Sequence, residues 1–190
     1  MPPLIDRETM ERHFEPSDMV TLDEAQLAGV THAETRSFLR DVGLPHQENK
    51  WFYLDLGFSG GSVRLGDVHP EIADAFDNLP PTAADWISLG DIPYDGIAVD
   101  GETGIVYCLP EDGAEIYPLN ASIHAFAHFL CLLEEERKNY DFGAVEEFID
   151  TTGAAARLLS RMQESDPTSV GDEDSTWRRM LEYVEEGIPA

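Results

Sequence analysis

Two histidines stand four positions apart, His124 and His128, on a stretch with helical apolar spacing. One helix face would present both imidazoles, a geometry that can ligate zinc. The residues between them are Ala-Phe-Ala, without the glutamate that a zinc-peptidase helix needs as its general base. Hydrogen bonding at the edge of a core is the simpler use of such a pair. Asp91, Asp95 and Asp100 are close in sequence, but their spacing differs from that of a calcium loop and a strand-like run interrupts them. Gly57 to Gly66 is glycine-rich, with neither a phosphate-binding lysine nor a dinucleotide pattern, and reads as turns. No Ser or Cys sits in a nucleophile motif. A hydrolase using paired carboxylates is a formal alternative, but acids are so abundant that any pair is uninformative. The residues therefore point away from an enzyme and imply no metal or cofactor.

The acids are informative as a surface. From Leu65 to Glu136 there is no Lys or Arg, while fifteen Asp and Glu occur. The 190-residue chain has 12 basic and 38 acidic residues, a net charge of −26, and is 42% hydrophobic. That apolar content supplies a core, so the charge belongs to a folded protein and not to a disordered acidic tail. Binding to nucleic-acid phosphates or to an anionic membrane is disfavoured, whereas a positively charged protein partner is favoured. Arg outnumbers Lys ten to two, a bias that GC-rich coding also produces, and salt adaptation is a further source of general acidity. The uninterrupted acidic span tips the reading toward a functional face. Its candidate residues are Asp67, Asp91, Asp95, Glu111 and Asp112, with Trp86 or Tyr94 as aromatic anchors. For each carboxylate the alternative is a solvated turn residue, and for each aromatic a place in the core.

These groups need elements to hold them. Ile5 to Phe14 reads as a short helix and Met19 to Leu22 as a strand. Thr31 to Val42 reads as a helix stopped by Gly43, with Pro45 beyond. Trp51 to Phe58 has strand composition, and His69 to Leu79 reads as a short helix or an irregular connection. Trp86 to Leu89 reads as a strand, Gly90 to Pro93 as a turn, and Ile97–Val99 with Ile105–Leu109 as a hairpin through Asp100–Gly104. Glu115 to Leu119 is a further strand. Asn120 or Ser122 caps a helix running to Lys138, with Phe126 and Leu130 toward the sheet and Glu134 to Glu136 exposed. Ala144 to Met162 is helical, with Gly153 bending or splitting it. Gln163 to Asp174 is a loop, and Ser175 to Glu186 a helix with Trp177, Met180, Leu181 and Val184 as its packing stripe. Strands before helices predict an α+β fold, helices on a mainly antiparallel sheet. Cys108 and Cys131 are expected as buried free thiols in a reducing cytoplasm; there is no secretory leader pattern and no run long enough to cross a bilayer.

Phe38-Leu-Arg-Asp-Val-Gly-Leu-Pro45 resembles the Phe-Leu…Gly-Leu-Pro opening of SUKH-superfamily immunity proteins, in particular the fourth SUKH family. Leu89-Gly with Ile97-Ala-Val-Asp-Gly-Glu-Thr-Gly-Ile-Val106 resembles that family's strand–turn–strand block, and Leu119-Asn-Ala-Ser-Ile-His-Ala-Phe126 its approach to a helix. Trp177-Arg-Arg-Met-Leu-Glu-Tyr-Val-Glu-Glu-Gly187 is similar to its closing helix. The resemblance covers roughly Thr31 to Gly187. It implies one SUKH-like domain over residues 1–190: an N-terminal extension (1–30), a central α+β core (31–139) and a C-terminal helical segment (140–190). It also implies a protein, not implied to be an enzyme, that binds and neutralises a cognate bacterial toxin, such as a nuclease or a nucleic-acid deaminase; the cytoplasmic expectation comes from the free thiols. A general protein-interaction scaffold is the alternative within the same superfamily.

Overall fold

The computed structural model describes residues 3–46, 51–143 and 149–187. Val145 and Phe148, expected on the helix beginning at Ala144, lie outside the described residues. Five strands form an antiparallel meander in the order β3 (Tyr53–Leu54), β4 (Ile87–Ile92), β5 (Asp95–Val99), β6 (Val106–Leu109) and β7 (Tyr117–Asn120). A separate two-stranded ribbon pairs β1 (Met19–Val20) with β2 (Leu44–Pro45). The helices are α1 (Arg7–Glu11), α2 (Ala33–Ser37), α3 (Leu65–Val68), α4 (Ile72–Ala75), α5 (Ile123–Glu136), α6 (Thr151–Ser165) and α7 (Thr176–Glu186). The architecture is α+β, with helices packed on an antiparallel sheet.

Strand periodicity divides the core. Ile97 and Val99 of β5, with Val106 and Cys108 of β6, join the main cluster with Phe126, Leu130 and Trp177. The intervening Ala98, Tyr107 and Leu109 turn to the opposite face and meet Leu65, Ile72 and Trp86. Both faces of the sheet are thus covered, one by the long helices and the other by the short helices α3 and α4. Ile5, Met10, Phe14, Leu22 and Leu27 of the N-terminal stretch also belong to the main cluster.

Several local expectations are corrected. The Thr31–Val42 helix is α2 followed by a π-helical turn, Phe38–Val42, and it starts where the His32 ring accepts the Thr35 N–H. Trp51 to Phe58 is not one strand: Asp55 accepts the Gly57 N–H at 2.7 Å and starts a 3-10 turn, Leu56–Ser59. Gly90 is not in a turn but inside β4, where the register to β5 shifts. Its φ is +139°, and a side chain there would strike the Tyr53 carbonyl. The turn instead falls at Pro93-Tyr94. Gly153 neither bends nor splits α6; it lies in the first turn, where its N–H is capped by Asp150. α6 continues to Ser165, into the expected loop.

Ser122 caps α5 by accepting the Ala125 N–H, whereas Asn120 is buried and accepts from Trp177 Nε1 at 3.0 Å. Phe126 and Leu130 are buried as expected. Glu134 and Glu136 are not largely exposed as expected: their side chains keep only 9% and 13% exposure, drawn in by Arg137 and Arg157, while Glu135 pairs with Arg161 and stays more open. The Arg157 hydrogen bonds hold Glu136 below the usual carboxylate range.

Both cysteines are free and buried, and loss of water pushes each thiol up to about 12. Neither is expected to react with an aromatic disulfide reagent at neutral pH until the chain unfolds; a rapid native reaction would contradict the packing. The raised values favour the folded state fully below about pH 9, a contribution lost as pH rises toward about 12. Phe126→Ala should cost about 3–5 kcal/mol in urea unfolding, since its ring is fully enclosed between Phe52 and Trp177.

Candidate protein-binding face

The tight β4–β5 hairpin carries Asp91 near its end and Tyr94 at its turn, and the loop after β6 carries Glu111 and Asp112. The two are joined through Asp95. This carboxylate is 6% exposed. Its Oδ1 accepts the Glu111 N–H at 3.2 Å, and its Oδ2 accepts the Thr176 hydroxyl at 2.5 Å and an N–H of Arg179. Thr176 opens α7, and its own N–H donates to the Tyr117 hydroxyl at 2.8 Å. One carboxylate therefore ties a strand, a loop and a helix. Burial here pushes the Tyr117 phenol up and out of its ordinary titration range.

Five of the seven residues expected on the face come together here: Asp91, Tyr94, Asp95, Glu111 and Asp112. Their positions differ from expectation in one respect. Asp95 is a buried positioning residue, not an exposed contact, because its charge is used by Arg179 and Thr176. Trp86 is also corrected as an exposed anchor. It is 2% exposed, stacked on Tyr107 at 4.3 Å and enclosed in the second cluster. Asp67 is exposed on α3, where it accepts from Ser62 Oγ at 2.6 Å, and it does not line the recesses around Tyr94.

Tyr94 keeps 67% of its surface open and borders two recesses. The smaller, of about 120 Å³, lies toward α7 and includes Arg179 and Tyr183. The larger, of about 300 Å³, lies over the second face of the sheet, between the hairpin and α3–α4. Asp55, His69 and Glu71 line this groove with Asp91 and Glu111, over Ile72, Phe76 and Leu109. Asp91 has substantial surface area open to solvent, yet protein around its carboxyl displaces water. That desolvation raises its pKa, with His69 opposing and Asp55 adding to the rise. Asp55 and His69 were not expected in a site. Asp55 arrives through β3, whose Tyr53 pairs with Asp91, a register that the sequence does not print.

The acidic span is only partly free. Arginines from outside it pair with Asp85, Asp95, Glu134, Glu135 and Glu136. Among the described residues no cation pairs with Asp91, Glu111 or Asp112. His124 has a local use: its Nδ1 accepts the Ile5 N–H at 3.0 Å, and its ring meets Phe38 edge-on. Among the described residues no group of three or more His, Cys, Asp or Glu is placed to hold a metal ion.

An α+β module with an acidic, aromatic-centred face over an apolar-floored groove is the class that fold and site define together. Residues 5–183 match the family described as SUKH-4 immunity protein, and the chain belongs to that family. Its general role is that of an immunity protein, a toxin-binding partner, and such proteins are typically not enzymes. No curated protein and no solved structure matches the chain significantly.

Asp95→Ala should lower stability by about 1–3 kcal/mol, because it unpairs three donors while Arg179 keeps access to water. Amide exchange at Glu111 should quicken in the same variant. Unchanged stability and exchange would remove Asp95 from its linking role.

Proposed function

We propose that this immunity protein neutralises a toxin acting on nucleic acid by laying the Asp91–Tyr94–Glu111–Asp112 face over the toxin's basic substrate cleft. The observation that carries this is the placement, around an exposed tyrosine, of three carboxylates that have no pairing cation among the described residues, on a protein of net charge −26. A cleft that accepts phosphates is complementary to such a face. Opposite charge would raise association toward ~10⁸ M⁻¹s⁻¹ at low salt, and Tyr94 would set the lifetime as a rigid amphipathic anchor. The two unpaired thiols fit action in a reducing cytoplasm.

A test separates a local face from general acidity. Asp91→Asn, Glu111→Gln and Asp112→Asn remove three charges from the face. Glu8→Gln, Glu15→Gln and Glu34→Gln remove three from the exposed N-terminal and α2 region, which packs with the main core on the other side of the sheet. Charges beyond ~8 Å are screened at physiological salt. Stopped-flow association with the cognate toxin should slow at least tenfold for the first triple variant and little for the second. Equal rates would defeat the local-face reading.

A further inference from the structure

Three other surface recesses each carry an arginine of their own: Arg179 beside Tyr94, Arg178 between α6 and α7, and Arg64 beside Trp86. Among the described residues, the 300 Å³ groove behind Tyr94 is lined by no Lys or Arg. Its titratable lining is Asp55, His69, Glu71, Asp91, Tyr94 and Glu111: four carboxylates, with a single histidine on the other side of the balance. The floor is apolar, formed in part by Ile72, Phe76 and Leu109. Asp55 holds Ser88 Oγ at 2.8 Å and the Gly57 N–H, so its carboxylate is fixed at the groove wall before any partner arrives. The volume is at the small end for ligand pockets, enough for one long side chain.

We propose that this groove is the receptacle for one arginine side chain of the toxin, its stem on Phe76 and Leu109 and its guanidinium between Asp55 and Asp91, beside the Tyr94 ring. The proposal rests on the toxin-facing reading of the same face. Arginine is favoured over lysine because a planar fork matches two carboxylates and stacks on an aromatic ring, whereas an ammonium is a more strongly hydrated point charge. The cation would also relieve the carboxylate crowding that Asp91 and Asp55 impose on each other, so occupancy should weaken as pH falls through the Asp91 titration.

Two experiments decide it. In the first, methylguanidinium chloride is titrated into the ¹⁵N-labelled full chain at constant ionic strength, with methylammonium chloride in parallel. Saturable amide shifts at Gly90, Asp91 and Gly96 are expected with methylguanidinium, weaker ones with methylammonium, and none with either in Asp91→Asn. Absence of saturable shifts overturns the receptacle, and equal binding of the two cations overturns the choice of arginine. In the second, toxin arginines are replaced by alanine and crossed with Asp91→Asn in double-mutant cycles. One arginine should couple to Asp91 at least tenfold, chiefly through dissociation, and an absence of coupling overturns the proposal. If the Glu111→Gln and Asp112→Asn changes still slow association while Asp91→Asn does nothing, the groove assignment fails and the docking face stands. If no face variant affects the toxin, the docking face itself fails, while the methylguanidinium titration still reads the groove on its own.

Discussion

The buried carboxylate of Asp95 is the contact on which the candidate face depends. Taking an anion out of water is costly unless donors replace the lost hydration. Here the Glu111 backbone N–H, the Thr176 hydroxyl and Arg179 do so, and each comes from a different part of the chain. Satisfying one charge therefore fixes the hairpin, the loop after β6 and the start of α7 together. Tyr117 and Cys108 extend the same link by contacting Thr176, at 2.9 and 3.2 Å, which ties it to two further strands. The exposed acids around Tyr94 are thus carried on segments that the Asp95 carboxylate ties together.

Charge is shared out unevenly over the acidic span. Several arginines pair with acids that are half-buried or that hold helices together: Arg137 within the α5 terminus, Arg157 and Arg161 from α6 to α5, Arg179 from α7 to β5; Arg64 pairs with the exposed Asp85. Asp91, Glu111 and Asp112, without a pairing cation among the described residues, lie on or beside short turns. A sequence count of acids overstates the face at Glu134–Glu136 and at Asp95, because it cannot show which arginine returns from a distant segment.

Much of the fold was legible in the chain. The Ile97–Leu109 hairpin has alternating apolar residues about a glycine-bearing turn, and α5 has its apolar spacing and a serine cap, so local signals and tertiary outcome agree there. The local signals misled at Gly90, where glycine serves a bulge under the Tyr53 carbonyl, and at Pro93-Tyr94, a hairpin turn without the usual Asn or Gly. Of the candidate face, Asp91, Tyr94, Glu111 and Asp112, which the structure brings together, could be named because charge and aromaticity are visible residue by residue. Trp86 and Asp95 were misplaced because burial is decided by what packs above them, Tyr107 for one and α7 for the other. Asp55 was missed because its place beside Asp91 follows from the β3–β4 register, a long-range pairing.

The division of labour between scaffold and surface follows from these contacts. Asp95, Gly90 and Trp86 each answer to several neighbours, so a change at any of them disturbs packing or register before it alters a partner. Asp91, Tyr94, Glu111 and Asp112 project from the hairpin and the following loop with few side-chain obligations to the core. Their identities can be exchanged at little cost to folding. In the proposed docking mode the residues offered to the toxin sit on or beside short turns, and the buried Asp95 carboxylate holds those turns in place.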